Sequence, residues 1–386
     1  MERIHRQGPL PFDAWMEAAL YDPEGGFFAR GGGAGRAGSD FLTSPEVGAL
    51  FGALVARALD SWWDRLGRPD PFLVVDAGAG RGQLAGDVLR AGPRCAPALR
   101  YVLVERSAAL RARQGEHLRL EPAGLALGPA VPPAPDEEPV AVPGLGPLVT
   151  SLAELPAGPV VGVVVANELL DNLPVRIVER AAEDGGWLEV RVGVAPGDAS
   201  SPRFAEVVLP ADEKLSAQAD SLVGDHPVPA GVRLPVPVGM SAWLSDCGAT
   251  LRRGAVIVVD YADSVDGLLA RGVSGWLRTY RGQQRGGPPL EAPGSQDITV
   301  DVPLGALRRA ATRAGFTVAE EATQAEWLAS LGIDELVEEA RVAWHARTET
   351  NLATLAARSR VSEADALLDP GGLGAHRVVV LTKGIR

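Results

Sequence analysis

Two cysteines, Cys95 and Cys247, are all that 386 residues contain, too few for a disulfide framework or a CxxC metal site. A reducing compartment follows as the simplest reading, with both thiols expected as small buried hydrophobes. Histidine is scarce as well. His5, His117, His226, His345 and His376 show no metal-ligand spacing and are expected as surface or packed residues. Positive charge is in deficit: the formal net charge is −12, which gives no electrostatic reason to bind a phosphate backbone and suits a basic peptide better. No apolar run approaches the ~18 residues of a membrane span, and "MERIHRQGPLPFDAW" has neither an apolar signal core nor an Arg/Ser-rich presequence. These absences predict a cytoplasmic protein with no membrane insertion and no nucleic-acid partner. A P-loop and a GxSxG nucleophile elbow are also missing.

What is present is core-forming sequence. Apolar residues make up 46% and charged residues 22%, ordinary globular usage that predicts a sizeable core. Frequent Gly and Pro, with many Ala and Arg, fit a GC-rich bacterial genome. Phe12, Trp15, Met16, Ala19 and Leu20 fall on one helical face before "YDPEGG" stops that helix. After a Gly-rich loop, "DFLTSPEVGALFGALVARALDSWW" predicts one long helix with Ser44 as N-cap, Pro45 at the first helical position and Glu46 at the positive end. From residue 72, strand and helix alternate: "FLVVDAG", a helix near 82–91, "RYVLVE", and a helix near 107–118. Continuous apolar strands of this kind belong to a parallel sheet covered on both faces. Residues 121–147 are expected as a surface loop, "PVVGVVVAN" as the next strand, and "LPVRIVERAAEDGGWLEVRVGV" as a β-hairpin. A helix near 240–252, the strand "GAVIVVDYA", a loop over 272–300, a helix-rich section and a closing strand "HRVVVLTK" complete the chain.

The chemistry centres on "VVDAGAGRGQL". Glycines at a strand-to-helix turn let a ligand approach the backbone, and the following helix start adds positive potential. A dinucleotide fingerprint G-x-G-x-x-G counted from Gly78 and Gly80 requires glycine at 83, where Gln83 stands. This opposes a nicotinamide enzyme. The pattern from Asp76 through Gly78, Gly80 and Gly82 instead resembles motif I of class I S-adenosylmethionine-dependent methyltransferases. Glu105, ending "YVLVE", is placed to accept hydrogen bonds from two ribose hydroxyls, though dehydrogenases use an acid there too.

Further stretches narrow the resemblance. "ALYDPEGGFF", "SDFLTSPEVGALFG", "VVANELLDNLPVR", "VIVVDYA" and "PGSQDIT" occur in the order seen in the mitochondrial complex I assembly methyltransferases and their bacterial MidA-type homologues, which the chain resembles over nearly its whole length. The resemblance implies an α/β class I methyltransferase fold, Rossmann-like. Its seven-stranded, mostly parallel sheet would carry an N-terminal helical lid over residues 1–70. The core would run from 71 to 386, with insertions near 175–240 and 272–375 building the substrate side. It implies S-adenosylmethionine as cofactor, S-adenosylhomocysteine as product, and a protein substrate with an accessible arginine such as a complex I subunit; a homodimer is a further expectation. Carried over by motif, Asp40, Thr43, Ser44, Asp76, Gly78, Gly80, Gly82 and Glu105 are the cofactor-side residues. Asn167, Glu168 and Asp171 match the motif after the fourth strand. The chain departs from the family pattern at Ala79, at Phe27 and Phe28 in place of paired tyrosines, and at Gln283, where many relatives carry histidine.

"VVVANELLDNLPV" should bring Asn167 and Glu168 out at the carboxyl end of a buried strand. Glu168 and Asp171, three residues apart, would share one face of a helical turn. Two adjacent carboxylates invite a cation, and a planar, permanently charged guanidinium fits. The same pattern also suits a capped helix start with no catalytic role. Arg278, Arg281 and Arg285 are expected in a solvated loop. Three rival functions remain at this point: a small-molecule O- or N-methyltransferase, a non-catalytic assembly chaperone that binds cofactor or partner without turnover, and, weakest because of Gln83, a nicotinamide-linked oxidoreductase.

Overall fold

The computed structural model describes residues 1–33, 43–128, 143–182, 185–196, 203–282, 284–345 and 352–385. Seven strands form its main sheet: β1 (Phe72–Ala77), β2 (Leu99–Val104), β3 (Leu148–Leu152), β4 (Val160–Asn167), β5 (Leu251–Asp260), β6 (Thr317–Thr323) and β7 (Arg377–Lys383). Their order is β3-β2-β1-β4-β5-β7-β6, parallel from β3 to β5, with β7 antiparallel to both its neighbours. All six positions of β1 and of β2 are buried, as strands covered on both faces require. The chain order reverses between β1 and β4, so the crevice at their carboxyl ends is where such a sheet takes a ligand. β3 and β6 correct the sequence reading, which passed from the loop straight to β4 and put 317–323 among helices. Both are edge strands. β6, "TVAEEAT", has no fully buried position, and an edge needs no continuous apolar run to pair.

The two faces of the sheet are covered by different helices. Leu50, Phe51, Leu54, Val55, Leu59 and Trp62 of helix Ala49–Arg65 pack on one face together with helix Gln83–Ala91. Helices Val238–Thr250 and Leu304–Arg313 cover the other. The single long helix expected from Ser44 is instead a short turn, Ser44–Val47, followed after Gly48 by the long helix. The cap also comes from elsewhere: the Glu363 carboxylate accepts the Leu50 N–H at 2.9 Å, while the buried Ser44 hydroxyl donates to Gln324 Oε1 at 2.8 Å. A Cβ on Gly48 would lie 2.1 Å from the Glu363 carboxyl carbon, so the glycine admits the remote cap.

The expected hairpin is part of a larger body. Arg176–Arg180 and Trp187–Val194 join Leu10–Pro11, Phe204–Pro210 and Arg233–Val236 in a five-stranded antiparallel sheet. The predicted apolar stripe from Phe12 to Leu20 buries itself in the core of this second body. Residues 272–300, expected as loop, hold strands Leu277–Arg281, Gln284–Arg285 and Asp297–Val300. Leu277 and Thr279 alternate with exposed or partly exposed neighbours, a two-residue period hidden among arginines and glycines.

Register at the centre of the main sheet is checkable through one glycine. A Cβ on Gly162 of β4 would sit 2.0 Å from the Leu73 carbonyl oxygen of β1. Gly162→Ala should therefore cost about 1–3 kcal/mol of stability, read as a lower urea midpoint; an unchanged midpoint would contradict this strand pairing.

Candidate functional site

β1 delivers the Gly-rich turn to the crevice. Gly78, Gly80 and Gly82 have φ of 74°, 54° and 83°, in the left-handed region that side chains resist. The turn is fastened by Gly78 and Ala79 N–H groups donating to the Val104 carbonyl at 2.9 and 3.1 Å. Added Cβ atoms would meet Leu169 at Gly78 and Leu118 at Gly82, whereas nothing lies within 4 Å of one at Gly80. Gly80 is therefore the glycine whose backbone is open to a ligand. Its carbonyl accepts Gln114 Nε2–H at 2.8 Å, and Ser151 Oγ–H donates to Gln114 Oε1 at 2.5 Å. Gln114 had no signal in the sequence beyond a place on a helix.

Glu105 emerges one residue past β2. Its Oε2 accepts the Gly80 N–H at 3.0 Å and its Oε1 the Ser107 N–H at 2.7 Å, so the acid expected to meet a ribose also braces the turn. Burial raises the Glu105 pKa, and these two amides oppose the rise. Asp76 lies deeper, 3% exposed, and accepts the Tyr101 hydroxyl at 3.2 Å. Burial pushes it up to about 7, against the Tyr101 hydrogen bond and with the Glu105 charge.

A cavity of about 1150 Å³ opens along this crevice. Of the residues singled out from sequence, Thr43, Asp76, Gly78, Gly80, Glu105, Asn167 and Glu168 line it. Ser44, Gly82 and Asp171 stand behind its wall, and Asp40 and Gln283 fall outside the described residues. The N-terminal segment supplies Glu17, Tyr21 and Phe28 to the mouth. Tyr21 stacks on Phe28 with centroids 5.2 Å apart, Arg106 lies over Tyr21 at 4.4 Å and pairs with Glu17, and Ser107 Oγ–H donates to the Phe28 carbonyl at 2.8 Å.

At the end of β4 the geometry differs from the expected helical turn. Glu168 has φ 49°, and the helical turn begins only at Leu170, so Glu168 and Asp171 do not share a helix face. Glu168 turns to the cavity, its side chain 5% exposed. Its Oε1 accepts the Ser44 N–H at 3.2 Å and Asn167 Nδ2–H at 3.4 Å, with His376 Nδ1 at 3.9 Å. Burial, then the Asp171 charge, push its pKa up to about 8. Asp171 points into the protein, where burial raises its pKa and the Arg278 charge opposes the rise. Arg278 is thus no solvated loop residue. It pairs with Asp301 and lies over the Tyr261 ring at 4.9 Å. His376, 2% exposed, packs against Tyr261 with ring centroids 4.0 Å apart. Asp260 holds the turn by accepting the Leu170 N–H at 2.8 Å.

Among the described residues no cluster of His, Cys, Asp or Glu could hold a metal ion. The cavity fits S-adenosylmethionine: a backbone approach at Gly80, an acid at the strand tip for vicinal hydroxyls, and adequate volume. The comparisons agree. A family model of S-adenosyl-L-methionine-dependent methyltransferases matches residues 54–322. A solved structure of a Burkholderia thailandensis protein bound to S-adenosyl-homocysteine superposes with a TM-score of 0.79 and 30% identity, covering 100% of this chain and 91% of that one. The human protein named protein arginine methyltransferase NDUFAF7, mitochondrial, is 29% identical over 324 residues, 81% of this chain and 67% of its own length. Its Drosophila melanogaster homologue is 28% identical over 320 residues, covering 81% and 69%.

A side chain at Gly80 would enter the cavity from a left-handed backbone. Gly80→Ala should weaken S-adenosyl-homocysteine binding about tenfold or more in calorimetry, with the strain itself costing about 1–2 kcal/mol of stability. Unaltered affinity would place the ligand away from this turn.

Proposed function

The chain belongs to the family of S-adenosyl-L-methionine-dependent methyltransferases, and from that premise we propose that its acceptor is the guanidinium of a protein arginine. The observation that carries this reading is the Glu168 carboxyl: a buried acid on the cavity wall at the end of β4, beside the Gly-rich turn. S-adenosylmethionine, when bound, supplies a methyl group activated by a sulfonium. The chain's task is then to hold a nitrogen acceptor still in a dry pocket, and orientation of this kind is worth roughly 7 kcal/mol or more.

Glu168 suits a cation. Its protonated form is favoured while the site is empty of positive charge, because burial and Asp171 both oppose ionisation. An arriving guanidinium reverses that balance and donates a charge-assisted hydrogen bond to the ionised carboxylate. The clamp is a single carboxylate: Asp171 lies behind the wall, opposite the protein's own Arg278. A net charge of −12 favours a basic segment of the substrate protein on approach. The human and fly relatives, both named protein arginine methyltransferases, support the same acceptor.

Three outcomes are expected. With an arginine-containing basic peptide as acceptor, Glu168→Gln should lose on the order of a hundredfold in kcat/KM while retaining cofactor affinity; full turnover would remove Glu168 from the reaction. Because the ionised form takes the cation, wild-type kcat/KM should climb about tenfold per pH unit and level off near the Glu168 value of about 8. Stability should run the opposite way. A carboxyl that binds its proton more tightly when folded costs stability as pH rises from its ordinary 4.5 towards about 8. Glu168→Gln should therefore melt above wild type at pH 8 and show no such gain at pH 4.

A further inference from the structure

Among the described residues neither ring nitrogen of His376 has a hydrogen-bond partner, although the side chain is buried. A buried polar group left unmatched costs free energy and calls for a reason. The ring is firmly placed. Its backbone N–H donates to the Leu373 carbonyl at 3.0 Å, its carbonyl accepts the Gln324 N–H at 2.7 Å, and its face packs on Tyr261. Gln324 Oε1 in turn accepts the Ser44 hydroxyl, and the Ser44 N–H donates to Glu168. Three segments far apart in the chain therefore converge on one carboxyl, with the His376 imidazole aimed at it across 3.9 Å.

We propose that His376 is a positioning residue for Glu168: its neutral imidazole donates Nδ1–H to the Glu168 carboxylate in the ionised form that takes a cation. The inference rests on the reading of Glu168 as the guanidinium-facing group and adds the residue that holds it. Burial and the nearby Arg278 charge keep His376 neutral, with its pKa lowered to about 4. Neutrality matters here. A protonated imidazole would repel an incoming guanidinium, whereas a neutral donor steadies the carboxylate without competing for its charge.

The remaining groups around Glu168 make such a donor useful. From its own strand and turn come Asn167 and Asp171, from the end of β5 Asp260 and Tyr261, from strand Asp297–Val300 Asp297, and from the N-terminal side the Ser44 amide. Asp171, Asp260 and Asp297 all disfavour a second negative charge. Among the described residues only the Ser44 N–H and Asn167 Nδ2–H donate to it at hydrogen-bond distance, and both go to Oε1. Closing the 3.9 Å gap adds a third donor at the moment of ionisation.

The test compares His376→Phe, which keeps a ring on Tyr261 without a donor, with His376→Gln, which restores an N–H. The first readout is independent of turnover: the infrared carbonyl band of protonated Glu168, assigned by its disappearance in Glu168→Gln, followed through a pH titration. His376→Phe should raise the Glu168 midpoint by about one pH unit, a tenfold change in ionised fraction at pH 7, and His376→Gln should return most of that shift. Methyl transfer to an arginine-containing basic peptide should fall about tenfold at pH 7 in His376→Phe and recover at pH 9. In the wild-type protein, NMR shifts of the His376 ring nitrogens should show Nδ1 protonated and responding as Glu168 ionises, a readout that survives if a variant fails to fold. Superimposable infrared midpoints, or a ring protonated only at Nε2, would overturn the proposal even if the peptide is methylated. A shifted midpoint in a protein that methylates no arginine peptide would uphold the His376–Glu168 pair and refute the guanidinium acceptor instead.

Discussion

Everything at the site depends on where a buried parallel sheet changes direction. β1 and β4 are adjacent and parallel, yet the chain leaves them towards opposite edges. No connection can then cover the crevice between their carboxyl ends. The Gly-rich turn leaves β1 on one side of that crevice and "NELLD" leaves β4 on the other, so Gly80 and Glu168 line the same cavity. Helices packed on both faces hold the strands rigidly enough for this adjacency to be maintained.

The second constraint is electrostatic. Glu168, Asp171 and Asp260 are gathered at the same end of the sheet, all with pKa values raised by burial. Burying several carboxyls together is tolerable only if they stay protonated or meet positive charge. The protein meets part of the need internally: Arg278 answers Asp171 and Asp301, and backbone amides answer Asp260. Glu168 is the member of this group that faces the cavity. A raised pKa at a carboxyl open to the cavity supports the proposed guanidinium acceptor over a neutral hydroxyl.

The N-terminal segment ties the two halves together. Residues Phe12–Tyr21 belong to the second body by packing, while Tyr21 and Glu17 on that helix reach the cavity mouth and Arg106. The helix Ala49–Arg65 belongs to the core of the main sheet. Between them, Ser44 contributes an amide to Glu168 and a hydroxyl to Gln324. A stretch that looks like a helix start in one dimension thus acts as a clasp between the end of β4 and the helix Gln324–Ser330.

Local order determined a great deal. Continuous apolar runs defined β1, β2, β4 and β5, because a strand buried on both faces cannot hide that fact in its composition. The positions of Asp76, Gly80, Glu105 and Glu168 followed from their places at strand ends, where side chains must leave the sheet. Tertiary structure decided the rest. The edge strands β3 and β6 and the small sheet within 272–300 pair through backbone groups that any side chain can accompany, so their sequences carry no strong period. Capping by Glu363, bracing by Gln114 and the approach of His376 to Glu168 join residues dozens to hundreds of positions apart. Such contacts arise from the packing of whole elements, and no local pattern encodes them. The same reason explains why Arg278 reads as a solvated loop residue in the chain and stands in the fold as the largely enclosed counter-charge of Asp171 and Asp301.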